Sequence, residues 1–363
     1  MLSSDEWQAK SKLNGSESIV SQSSRVIGVL LAQVGTPAEP TARAVRPFLR
    51  RFLSDRRVID YPPLLWQPLL RGVILAVRPK RSARLYARIW GEEGSPLLAI
   101  SRRQQADLQQ RLGGGYKVEL GFAYSEPDIA QAMSRLEAAG ADRILVLPLY
   151  PQYSSTTTAA IYDAACFAAL GKARRSGSSA KRFVPELRLA GAFFDHPGYI
   201  RVMQKHLAAL LQRLPQPPDR FLLSFHGIPQ RYADGGDPYP EQCRETARLL
   251  AEAMGWPPEQ WDIAYQSRFG PETWLGPSTG ELLQRLADSG AKRPLVFAPG
   301  FVTDCLETLY ELGVEAREDF AFRSGGTAGG DGFTVAPCLN DQPEWLDVLA
   351  EVVRDHAKGW IDA

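Results

Sequence analysis

Cysteine, histidine and long apolar runs are all scarce in this chain, and each shortage closes off a class of protein. Four cysteines occur in 363 residues, Cys166, Cys243, Cys305 and Cys338, and no two stand at the spacing of a zinc or cluster motif. So few thiols in so long a chain do not make a disulfide framework; they read as reduced, mostly buried thiols of a cytoplasmic protein. No apolar run approaches the length that crosses a bilayer. The first 24 residues are polar and serine-rich without the apolar stretch of a secretory signal, and read as a flexible lead-in. Charge of one sign is lacking too: 42 Lys and Arg against 41 Asp and Glu leave a net charge of +1, which argues against a nucleic-acid binder. Neither G-x-x-x-x-G-K-S/T nor a G-x-G-x-x-G after the first strand is present, so a nucleotide-dependent oxidoreductase loses its main support.

What is present is a rhythm of short apolar runs bounded by turn residues. They fall at Val26–Leu31, Val118–Phe122, Ile144–Leu149, Phe221–Phe225 and Leu295–Ala298, with helical periodicity between them, as in Ile129–Leu136 and Thr246–Met254. Continuous apolar strands alternating with helices predict an α/β, doubly wound fold of parallel sheets covered on both faces. The segment from Arg135 to Val146 recurs from Arg285 to Val296, matching at seven of twelve positions, each copy passing through Gly-Ala (Gly140, Gly290) into a strand that soon meets proline. A generic αβ turn would explain the glycine and the strand; two similar halves facing each other explain all seven. The boundaries expected are an extension over 1–24, a first Rossmann-like domain over 25–170, a second over 180–343, and a C-terminal helix within 344–363 returning to the first. The stretch Gly171–Lys181 reads as a linker or surface loop.

Ligands of open parallel sheets bind beyond the carboxyl ends of the strands. That rule selects four loops: Gln33–Pro37, Tyr150–Thr158, His226–Pro229 and Pro299–Glu307. His226 ends an apolar strand, with Leu222 and Ser224 on its face, and can present a ring nitrogen as base or metal ligand. A histidine capping the turn accounts for its position equally well. Asp304, Glu307 and Glu311 fall on one helical face at about 100° per residue, either as a solvated acidic face or as a proton or cation path. Acids also suit a helix N-terminus on dipole grounds. The Ser/Thr run from Ser154 to Thr158 caps the next helix or binds an anion there. Tyr265, Phe269 and Trp274 on a Gly/Pro-rich loop suit a flat aromatic ligand.

Taken in order, these segments resemble the ferrochelatase family along nearly the whole chain from Val26. The match runs through Gly35-Thr-Pro37, Phe52-Leu-Ser-Asp55, Arg88-Ile-Trp90, Gly94-Ser-Pro96 and Pro151-Gln-Tyr-Ser154. It continues with Ser224-Phe-His226-Gly-Ile-Pro229, Gly236-Asp-Pro-Tyr239, Gln266-Ser267, Trp274-Leu-Gly-Pro277 and Asp304-Cys-Leu-Glu307-Thr-Leu-Tyr-Glu311. The resemblance implies two Rossmann-like domains with a porphyrin cleft between them, and insertion of Fe²⁺ into protoporphyrin IX as the terminal step of heme synthesis. Iron is then a substrate, with no resident prosthetic group. His226 and Glu307 would be catalytic and metal-holding, with Glu311 and Asp304 extending the acidic line. By the same carry-over Val34, Ser95, Tyr124, Gln152, Ser154, Gln266, Ser267 and Trp274 would lie against the macrocycle or its propionates.

The sequence also departs from the family. Cys305 stands where animal relatives carry a second histidine, and Ala123-Tyr124 where many have Arg-Tyr, which removes a propionate partner. Ser155 and the lack of a cysteine-bearing C-terminal extension imply no iron–sulfur cluster of the animal type. Gln152, where coproporphyrin enzymes commonly carry histidine, points to protoporphyrin; a coproporphyrin III enzyme, a cobalt or sirohydrochlorin chelatase and a non-enzymatic tetrapyrrole binder are the alternatives. The segment Leu64–Val77 with Arg78, Lys80, Arg81 and Arg84 forms an apolar lip beside basic residues, suited to peripheral contact with the inner membrane. A core-packed helix with a solvated basic end suits most of these positions equally well.

Overall fold

The computed structural model describes residues 26–171, 181–324 and 332–360. The lead-in expected over 1–24, and most of the expected linker, lie outside the described residues. Strands β1 (Ile27–Gln33), β2 (Tyr116–Phe122), β3 (Arg143–Pro148) and β4 (Glu186–Leu189) form one parallel sheet in the order β2-β1-β3-β4. Strands β5 (Arg220–His226), β6 (Trp261–Gln266), β7 (Pro294–Phe297) and β8 (Thr334–Val335) form a second in the order β6-β5-β7-β8, also parallel. Each lobe thus places its first strand between its second and third. The class is α/β, with helices on both faces of each sheet.

The recurring segment marks equivalent places in the two lobes, the helix that leads into β3 and the one that leads into β7. Both helices close in the same way. Gly140 and Gly290 adopt φ of 85° and 87°, which only glycine reaches without strain. Ala141 N–H then reaches back to Leu136 O at 3.1 Å and Ala291 N–H to Leu286 O at 3.0 Å, a Schellman closure in each case.

Side-chain alternation along the strands divides the apolar residues into layers. Val29 and Leu31 of β1 and Leu223 and Phe225 of β5 belong to one continuous core, which also takes in Tyr199, Met203, Trp345 and Leu349. Helices Pro197–Leu211 and Pro343–Ala357 supply those last four residues, so the two sheets share an interior. Their opposite faces carry separate clusters, around Leu30 and Ile144 in the first lobe and around Leu222 and Val296 in the second. The C-terminal helix lies against helix Pro96–Leu112 of the first lobe, where Arg111 donates to Asp347 at 2.8 Å. A shared core leaves room for a cleft only at the strand ends.

One element stands outside the sheets. Helix Pro63–Leu69, a wider π-type turn over Leu70–Ile74 and helix Leu75–Ile89 form a lip along the cleft. Trp66 pins its base by donating its indole N–H to Leu53 O at 2.6 Å.

Candidate active site

The four strand-end loops meet, as the sheet rule requires. Val34 N–H donates to the Tyr150 hydroxyl at 3.0 Å, joining the loops after β1 and β3. Gly300, after β7, lies so close to Gln152 and Phe225 that a Cβ there would be 3.3 Å from each.

His226 ends β5 and is half-buried. Its Nδ1 lies 2.7 Å from the carbonyl of Gly227. A carbonyl only accepts, so Nδ1 carries the proton and Nε2 of the neutral ring keeps its lone pair. No described residue bonds Nε2. The strand register pairs His226 with Gln266, and Gly227 N–H donates to Gln266 O at 2.8 Å. Gly227 leaves little room for a side chain, because a Cβ would stand 3.0 Å from that oxygen and 3.2 Å from the Trp274 ring. Trp274 thereby packs directly on the strand end beside the histidine.

Gln266 links the histidine to the acid. Its Oε1 accepts from Ser224 at 2.8 Å and its Nε2 donates to the backbone oxygen of Glu307 at 3.1 Å. Both ends of the amide are therefore committed to protein, and Gln266 ties the start of the Glu307 helix to the strand that ends on His226. Glu307 opens a π-helical stretch running to Ala316, a rare geometry that recurs at functional sites. One turn on, Glu311 accepts from the Ser267 hydroxyl. Burial, and then the neighbouring Glu307 charge, push the Glu311 carboxyl up to about 7. Ser267 holds φ of 68°, a strained conformation for a residue with a side chain, at the position that delivers this bond. Tyr86 stands against the same acids, with its phenol pushed up by burial and by Glu307, and bonds Thr36.

Arg78 was expected on the solvated end of the lip; it turns inward instead. Its Cζ lies 4.4 Å over the Phe269 ring, and its Nη1 is buried with no partner among the described residues. Burial pushes its guanidinium down, opposed by the Glu311 charge. An unpartnered buried donor of this kind costs about 1–3 kcal/mol, a cost that an anionic ligand group would remove.

Several expected site residues have other commitments. Asp304 precedes the helix and so leaves the acidic face: its Oδ1 accepts from Thr308 at 2.8 Å and from Cys338 N–H at 3.3 Å, its Oδ2 from Asn340 at 2.6 Å. Gln152 donates to Thr246 at 2.9 Å, and Ser154 donates to Asp237 at 3.1 Å while capping the turn after it. Both are 1 % exposed and fasten one lobe to the other. Tyr124 is buried against Phe52 and donates its hydroxyl to Asp55 at 2.9 Å. Ser95 shares its hydroxyl with Thr36 at 2.8 Å. Val34 is half-buried and packs in one cluster with Phe48 and Phe52.

A family model for ferrochelatase matches residues 26–357. The chain belongs to the ferrochelatase family. It is 45% identical to ferrochelatase 1 of Shewanella oneidensis over 344 residues, covering 94% of this chain and 98% of that one. It is 44% identical to the ferrochelatase of Nitrosococcus oceani over 340 residues, covering 93% and 88%. Members of the ferrochelatase family are enzymes that insert iron into porphyrin, and this chain is one. Among solved structures, SirB from Bacillus subtilis with Fe³⁺ superposes with a TM-score of 0.53 at 12% identity, over 92% of this chain and 97% of that one. At that identity the likeness speaks for the fold alone.

Proposed function

We propose that this ferrochelatase metallates protoporphyrin IX with His226 and Glu307 as its reacting residues. The observation that carries the reading is the free Nε2 of His226, held by the Gln266 bridge beside the helix that Glu307 opens. Insertion replaces two pyrrole N–H protons by Fe²⁺, so the site must accept two protons and receive one cation. A neutral imidazole nitrogen serves either as base or as iron ligand, though not both at one instant. Glu307 shares that work, and Glu311, which changes charge near pH 7, hands on cations or protons along the helix. Asp304 has no part in this path, since its oxygens are already bonded.

Arg78 takes an acidic group of the porphyrin, supported by its unpartnered Nη1 and its stacking on Phe269. Trp274 forms a wall against which the macrocycle can be bent, a distortion that exposes a pyrrole nitrogen to the metal. Iron is the substrate, and we take the enzyme to need no iron–sulfur cluster. The four cysteines sit on separate elements, with the Cys243 and Cys338 thiols pushed up by burial.

The lip supports a cytoplasmic enzyme that rests on an anionic bilayer. Leu64, Leu65, Leu69, Val73 and Val77 are 46–90% exposed. Arg71, Lys80, Arg81 and Arg84 on the same lip are exposed too, as are Arg43, Arg46 and Arg50 on helix Ala42–Ser54, which packs against it. Each such cation contributes about 1 kcal/mol near an anionic surface. No helix of the described residues is long and apolar enough to cross a membrane.

The test is a metallation assay with Fe²⁺ or Zn²⁺ comparing protoporphyrin IX with coproporphyrin III. Faster turnover of protoporphyrin supports the reading; a preference for coproporphyrin contradicts it.

A further inference from the structure

We propose that Arg231 is a positioning residue that latches the mouth of the cleft, holding the lip against the loop that carries Trp274 while porphyrin is bound. The proposal rests on the metallation reading above. Arg231 lies on the short helix Gln230–Asp234, directly after His226-Gly-Ile-Pro229. Its guanidinium bridges two elements that the chain keeps far apart. Nη1 donates to Asp60 Oδ2 at 2.6 Å, at the foot of the lip, and Nε donates to Glu272 Oε1 at 3.0 Å, two residues before Trp274.

Aromatic contacts extend the tie in both directions. The Arg231 Cζ sits 4.5 Å over the Tyr232 ring and 5.4 Å over Tyr61, and Tyr232 donates its hydroxyl to Val58 O at 3.0 Å. Tyr61 packs on Trp66 at 5.7 Å between ring centroids, so the chain of contacts ends on the residue that pins the lip. The Arg231 bond holds the Asp60 carboxyl below its usual range.

The rest of the molecule explains why a tie at this place would move. Elsewhere the lobes are joined by the shared core and by buried bonds such as Gln104 to Thr303 Oγ1 at 3.1 Å. The Arg231 cluster is only partly buried, with side-chain exposures of 39% for Arg231 and 40% for Asp60. A pair exposed to that degree is a weak tie, which biases a closed mouth without locking it.

The test uses the full-length enzyme and the variants Arg231→Gln, Asp60→Asn and their combination. Porphyrin KM is measured with Zn²⁺, and porphyrin Kd is read in metal-free protein by quenching of tryptophan fluorescence. Each single variant should raise both constants about two- to fivefold, as loss of a half-exposed charge pair does. The combination should do no worse than either single change, Arg231→Lys should recover part of the loss, and the KM for Zn²⁺ should not move. Unchanged porphyrin constants with a lowered Tm would make the cluster a structural tie and overturn the proposal, as would multiplicative effects in the combined variant. Wild-type protein that binds porphyrin and makes no metalloporphyrin would instead overturn the metallation reading.

Discussion

The two lobes carry residues of different fate at matching places. β1 ends on Gln33 and β5 on His226, each the central first strand of its sheet. Gln33 is buried and donates to Ser101 at 2.8 Å, whereas His226 keeps Nε2 free of any described partner. The third strands diverge in the same way. After β3 a π-type turn over Ser155–Ala159 follows Ser154, whose hydroxyl bonds Asp237 of the other lobe. After β7 the longer π stretch opens with Glu307 and carries Glu311 towards the cleft. The backbone plan is one; what differs is whether polar groups at the strand ends find partners within the protein. We place the chemistry beside His226, whose Nε2 has no described partner, on a frame that both lobes share.

Breaking the active half of the comparison should have the largest effect. Glu307→Gln should lower kcat by about 10²-fold or more, the scale of a lost acid or base, with porphyrin affinity by fluorescence little changed. Arg78→Met should raise porphyrin KM about tenfold or more by removing a charged donor, and should leave or raise Tm because a buried unpartnered group is gone. On the other half, Gln152→Leu removes the donor to the Thr246 hydroxyl, which keeps its bonds to backbone carbonyls, and should cost about 0.5–1.5 kcal/mol in urea unfolding, while the folded fraction turns over normally.

The smallest effect sharpens the role of Glu311. Its folded carboxyl lies at about 7 against an ordinary 4.5, so the native state favours the neutral form. That contribution is fully present below about 4.5 and is lost as pH rises through about 7. In metal-free enzyme, Tm of Glu311→Gln relative to wild type should therefore climb across that window; a flat difference would show that Glu311 is not buried in this way.

The sequence shows this plan unevenly, for physical reasons. β1, β3, β5 and β7 announce themselves because burial on both faces makes them continuous apolar runs, whereas the edge strands β4 and β6 read Glu-Leu-Arg-Leu and Trp-Asp-Ile-Ala-Tyr-Gln. His226 and Glu307 are legible as strand-end and helix-start residues. A 3.6-residue period wrongly adds Asp304, since the helix begins only after it. The protein partners of Gln152, Ser154 and Tyr124 lie 69–94 residues away in the chain, beyond the reach of any local pattern. Arg78 is legible from helical spacing: Leu75, Pro79, Ala83 and Tyr86 form a buried stripe beside it, so that side of the helix faces protein.

We propose that the free nitrogen of His226 carries the metallation step. That role is tested most directly by measuring metalloporphyrin formation from protoporphyrin IX by His226→Ala beside wild type, with porphyrin binding followed in the same samples. The account predicts turnover lost in the variant and porphyrin affinity within about threefold of wild type, since a group acting only on the reacting atoms affects kcat and not binding. A variant that still makes metalloporphyrin at the wild-type rate would contradict it.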